Sequence, residues 1–182
     1  MALLDTPVCD FGWKAPDFTL EDPDGRAHAM TEQLGEKGLL VAFLCNHCPY
    51  VKAIGDRLAS DTAELMDAGI GVLAVMSNDY RDYPADSPPN MKRMAEHYGW
   101  RFPYLVDEDQ SVGKAWGAVC TPDFFGLNAR GELQYRGRLD DARMDDAPDR
   151  RRELVEAMRM IAETGEGPRE QTPSMGCSIK WS

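Results

Sequence analysis

A chain of 182 residues is long enough to bury a sizeable core and short enough to be one domain. Its net charge of −11 repels phosphate backbones and anionic lipid, which argues against nucleic-acid and membrane partners. The longest apolar run, GLLVAFLC, is strand-sized and far short of a membrane span.

The start, MALLDTPVCDFGW, lacks a basic n-region and a long apolar h-region, so the cytoplasm is the expected location. Residues 17–20 (DFTL) and 26–30 (RAHAM) flank the turn signal EDPDG and predict an N-terminal hairpin. TEQLGEKG reads as a brief helical turn. LLVAFL (39–44) is continuous, apolar and rich in strand formers, as a central strand buried on both faces would be. A helix follows over about 50–66, with Val51, Ile54, Leu58 and Leu65 on one stripe. IGVLAVMS (70–77) predicts a second buried strand. Strand, helix and strand make a βαβ unit, so the two strands run parallel and end on one sheet edge. The loop NDYRDYPADSPP is therefore expected to overhang Cys45. Ser87-Pro88 has the pattern of an N-cap and first-turn proline for a helix carrying Met91, Met94, Ala95 and Tyr98. FPYLV (102–106) is a strand and QSVGKAWGA a short helix. DFFGL (123–127) and ELQYRGRL (132–139) around NARG predict an antiparallel hairpin. Residues 148–163 close the domain as a helix, and LDDARMDD before it reads as a solvated loop. The tail 164–182 has no period, but Ile179 and Trp181 could dock its one apolar patch on the single domain 1–163.

The chemistry centres on CNHC, residues 45–48, between the buried strand and a helix start. Free N–H groups and the dipole of a helix N-terminus favour a thiolate, so a Cys45 pKa below the usual ~8.5 is expected. A thiolate attacks a disulfide to form a mixed disulfide, and a second thiol then releases the partner. The i, i+3 spacing predicts both sulfurs on one helix face, with Cys48 the more buried. Histidine as a residue type changes charge near neutral pH, and His47 is expected to stabilise the thiolate. Pro49 suits a first helical turn.

The order strand, CxxC, helix, strand, Thr-Pro and hairpin resembles the thioredoxin-like superfamily over about residues 14–163. APDFTLEDPDGR resembles the entry of its peroxiredoxin-related (AhpC/TSA) and membrane-anchored thiol-reductase branches. The resemblance implies a thioredoxin-like α/β fold: a central mixed sheet flanked by helices, with an N-terminal β-hairpin extension. It implies Cys45 as nucleophile and Cys48 as resolving thiol. It also implies Thr121-Pro122 as a cis-proline element that presents backbone to a substrate chain. The chain departs from the pattern at Leu44, Asn46 and His47, where the family often has Trp and Gly-Pro. LLVAFL also lacks the buried acid that thioredoxins place ahead of the motif, which leaves the proton acceptor for Cys48 unnamed.

The expected activity is thiol–disulfide exchange, with no cofactor and no metal. Its partners would be a protein or small-molecule disulfide or thiol substrate, and a reductase or thiol donor. A peroxidase is the first alternative, but the Pro and Ser/Thr it needs before its cysteine are Gly38 and Ala42 for Cys45, and Val41 and Cys45 for Cys48. Zinc or an iron–sulfur cluster is the second, with Cys45 and Cys48 joined by Cys120, Cys177 or His47. A non-catalytic module with inert thiols is the third. Cys120 and Cys177 are possible auxiliary thiols. Cys120 is otherwise a small buried hydrophobe, and Cys177 could form a disulfide, for which Cys120 is the suggested partner.

Overall fold

The run LLVAFL lies at the middle of the sheet. In the computed structural model, which describes residues 2–182, strand β4 (Leu39–Phe43) is buried at every position. Strand β5 (Gly71–Met76) pairs with it in parallel, Val41 opposite Leu73. Strand β8 (Asp123–Leu127) pairs antiparallel on the other side, Val41 opposite Phe125. Beyond β5 come β6 (Tyr104–Val106) and the hairpin of β2 (Thr19–Glu21) and β3 (Ala27–Ala29); beyond β8 comes β9 (Leu133–Tyr135). Among the described residues the order is β3-β2-β6-β5-β4-β8-β9.

Alternate residues of β4 point to opposite faces, and each face has its own core. Leu40, Ala42 and Leu44 pack with Val51, Ile54 and Leu58 of helix α2 (Pro49–Asp67), with Met91 of α3 (Pro88–Tyr98) and with Leu154 and Met158 of α5 (Glu153–Thr164). Leu39, Val41 and Phe43 pack with Phe18, Phe125 and Trp116, the last from α4 (Ser111–Trp116). Cover on both faces explains why the run does not alternate with polar residues. The helical turn α1 (Met30–Gln33) precedes Gly38, which has φ +92°; a Cβ there would lie 2.2 Å from the Leu127 carbonyl oxygen. Only glycine fits so close to β8 in that conformation. Among the described residues no helix is long and apolar enough to cross a membrane.

Three expectations change. Helix α5 begins at Glu153, because residues before it are held by ion pairs rather than by helical turns. Asp140 is buried and accepts from Arg57 Nε at 2.9 Å and Arg150 Nη1 at 3.0 Å, so LDDARMDD is not simply a solvated loop. Ser87 takes the N-cap position of α3, but its side chain makes no cap hydrogen bond. The tail carries strand β10 (Met175–Ser178), which lies antiparallel between β1 (Leu3–Asp5) and β7 (Cys120–Thr121) in a separate small sheet.

Candidate active site

The chain leaves β4 at Phe43, and the Leu44 amide still donates to Val75 O at 3.0 Å. Cys45, Asn46 and His47 then bend, and α2 begins only at Pro49, with Cys48 as its N-cap. This corrects the expected geometry: Cys45 is not on the helix, so the sulfurs do not share a helix face. The bend sets both sulfurs against one residue instead, Thr121, whose hydroxyl faces Cys45 and whose carbonyl faces Cys48.

The expected lowering falls on Cys48 and not on Cys45. The Cys45 hydrogen bond, the Cys177 thiol and the backbone amides of Cys177 and Val51 hold the Cys48 pKa well below the ordinary thiol range, against the cost of burial. The helix N-terminus acts on the residue that caps it, and that residue is Cys48. Donation to Cys48, burial and the Asp86 charge push Cys45 well above its ordinary value, while the Thr121 hydroxyl works the other way. The two thiols are thus pushed in opposite directions, Cys48 down and Cys45 up, and they titrate as a coupled pair.

Thr121 faces both sulfurs. Its Oγ1 lies 3.2 Å from Cys45 Sγ and its carbonyl oxygen 3.3 Å from Cys48 Sγ. The Thr121–Pro122 peptide is cis. Cys120, one residue earlier, projects the other way along the strand. Its sulfur is 3.7 Å from Pro122 O, and burial raises its pKa far above the usual range, as for a small core residue. The sulfur nearest Cys177 is not that of Cys120: Cys177 Sγ is 3.0 Å from Cys48 Sγ. The register explains this, since Cys177 lies opposite Thr121 and Ser178 opposite Cys120. With β10 in place, Cys45 is 1% exposed and Cys48 0%, so the pair is sealed from water. An apolar cleft bounded by Tyr50, Pro122, Leu139 and Met175 lies beside the seal.

His47 turns toward a carboxylate rather than a sulfur. Its Nδ1 lies 2.6 Å from Asp86 Oδ2, close enough for an ion pair but out of line for a hydrogen bond. Its ring stacks on Tyr83 at 5.7 Å. Asp86 is fully buried. Its Oδ1 accepts the amides of Asn46 at 2.7 Å and His47 at 3.3 Å, and its Oδ2 accepts Asn78 Nδ2 at 3.0 Å. Asp86 thus fixes the bend between the cysteines, and it was not anticipated from sequence. The overhanging loop was, but spacing alone does not separate Asp86 from Asp79 and Asp82. Cys45, His47 and Asp86 offer ligand atoms within 4.8 Å of one another, as a metal would need. Both Asp86 oxygens, however, already hold the loop.

The fold and sequence have relatives. A crystal structure of an uncharacterized conserved protein from Geobacillus kaustophilus aligns with a TM-score of 0.93 at 38% identity, covering 100% of this chain and 97% of that one. The thiol-disulfide oxidoreductase ResA of Geobacillus thermodenitrificans is 26% identical over 130 residues, 68% of this chain and 66% of that protein. Peroxiredoxin Bcp of Escherichia coli K12 is 29% identical over 112 residues, 62% of this chain and 67% of that protein. The matches thus span about two thirds of each of these curated relatives. The architecture is thioredoxin-like, a mixed sheet between helices. Residues 11–136, more than half of the sequence, match the AhpC/TSA family, and the chain belongs to that family.

Proposed function

We propose that the protein is a thiol–disulfide oxidoreductase that works through Cys45 and Cys48. The observation that carries this is that both sulfurs lie against Thr121, Cys45 at 3.2 Å from its Oγ1 and Cys48 at 3.3 Å from its carbonyl oxygen, just before the cis Pro122. A proton passed from Cys45 to Cys48 makes Cys45 the nucleophile. Cys45 attacks a substrate disulfide, forms a mixed disulfide and expels one substrate thiolate. Cys48 sits at the helix N-terminus, where its charge is favoured, and it then attacks Cys45 and releases the second substrate thiolate. A thiol donor or reductase restores the dithiol. His47 and Asp86 shape the field at Cys45, and Thr121-Pro122 hold the substrate backbone once β10 has moved aside. The cytoplasm is the compartment that would keep these thiols reduced.

Trapping tests the roles. Cys48→Ser, mixed with a disulfide-containing peptide, is expected to accumulate an adduct on Cys45, whereas wild type turns the peptide over and Cys45→Ser does neither. An adduct that forms only in Cys45→Ser would transfer the nucleophile to Cys48. Absence of both adduct and turnover would contradict exchange chemistry. The likeness to Bcp supports a second reading, a thiol peroxidase. Cys45-dependent consumption of hydrogen peroxide, without peptide reduction, would favour it.

A further inference from the structure

The strand that seals the site brings its own sulfur with it. β10 pairs with β7, Cys177 opposite Thr121, so a segment of the same chain occupies the backbone edge beside Pro122. Gly176 permits this approach: a Cβ there would lie 1.9 Å from the Thr121 carbonyl oxygen. The segment is tied at both ends. Ser174 Oγ donates to Pro122 O at 2.7 Å, and the Thr6 amide donates to Ser174 O at 2.9 Å. At the other end the Asp79 amide donates to Lys180 O at 2.8 Å, and the Lys180 amide donates to Asn78 Oδ1 at 2.8 Å. The outcome is a group of buried thiols in which Cys45 and Cys48 both face Thr121 and the Cys48 sulfur lies 3.0 Å from that of Cys177. A disulfide closes at ~2.05 Å, so a shift of about 1 Å would bond Cys48 to Cys177.

We propose that Cys177 is a third redox thiol, which receives the Cys45–Cys48 disulfide and converts it to a Cys48–Cys177 disulfide. This rests on the exchange chemistry proposed above, which supplies the Cys45–Cys48 disulfide. In the step, the Cys177 sulfur loses its proton and attacks Cys48 Sγ. The Cys48–Cys177 bond forms, the Cys45–Cys48 bond breaks, and Cys45 leaves as a thiolate that takes up the proton. Oxidation is conserved within the three sulfurs, so no further oxidant is needed. The product frees Cys45 and ties β10 to the start of α2. A thiol donor that attacks Cys177 reopens the site.

The test maps bonds in the full chain after oxidation by oxidised glutathione, acid quench, alkylation and tryptic digestion. Cys45 and Cys48 share the tryptic peptide 38–52, whereas Cys177 lies in 170–180, so the two disulfides give different masses. The expected product links these two peptides. Cys177→Ser is expected to give only the bond internal to 38–52. In wild type, amide exchange across 175–178 should slow on oxidation, and in Cys177→Ser it should not. If wild type yields the internal bond with Cys177 alkylated, the third thiol is refuted and the exchange reading survives. If neither Cys45 nor Cys48 enters a disulfide, both fail. If the thiols react only after chelation, they hold a metal and the relay is again refuted.

Discussion

Asp86 brings a buried carboxylate side chain to the site and spends its oxygens on Asn46, His47 and Asn78. Because the Asp86 charge opposes a Cys45 thiolate, Asp86→Asn should lower the Cys45 pKa and speed its alkylation at neutral pH. A gain of roughly three- to tenfold, the span of half to one pKa unit, is expected from a pH–rate profile with mass mapping; an unchanged profile would remove Asp86 from the electrostatics. Cys48 shifts in the opposite sense, down to about 4. A thiol charged in the fold but protonated when unfolded stabilises the fold fully above the unfolded pKa. That contribution drains away as pH falls from there through the folded pKa. The thiolate absorbance at 240 nm should therefore persist through neutral pH toward pH 4 in the reduced protein and vanish in Cys48→Ser. That the two cysteines and Thr121-Pro122 come together was legible, because a motif carries them. The charge on Cys48 was not, since the sequence does not say whether α2 starts before or after the bend.

Elements with a strong period were legible. β4, α2 and β5 follow from an unbroken apolar run, a 3.6-residue stripe and a second run. Their parallel pairing puts Cys45 and the Asp86 loop on one edge, as expected. The start of α5 was not legible, because it depends on charges distant in sequence. Asp61, buried in α2, accepts from Arg150 Nη1 and Nη2 at 2.7 Å each and from Arg152 Nε at 3.1 Å. Arg57 and Arg150 in turn share Asp140. Removing Asp61 takes three bonds from Arg150 and Arg152 but leaves each a second carboxylate, Asp140 and Glu64, so Asp61→Ala should cost about 1–3 kcal/mol in chemical denaturation. A loss below about 1 kcal/mol would mean that water or repacking satisfies the arginines.

At the level of the whole molecule, the two ends of the chain meet over the site. β1 and β10 are only three and four residues long, too short to show a period, and they are partners across almost the whole sequence. Docking of Ile179 beside Val112 and Trp116 was foreseen as a possibility of composition; the strand and its partner Thr121 were not. Gly176→Val would drive a side chain into the Thr121 carbonyl and should release β10. Alkylation of Cys48 in the folded protein should then accelerate, while circular dichroism stays near wild type. Unchanged protection would show that β10 is not the seal. The central claim is that the CNHC pair is a working dithiol, and equilibrium titration against reduced and oxidised glutathione tests it most directly. Wild type should lose two free thiols in one cooperative two-electron step, and Cys48→Ser should lose that step. Five thiols that stay free across the whole range, or that react singly as glutathione adducts, would contradict the account.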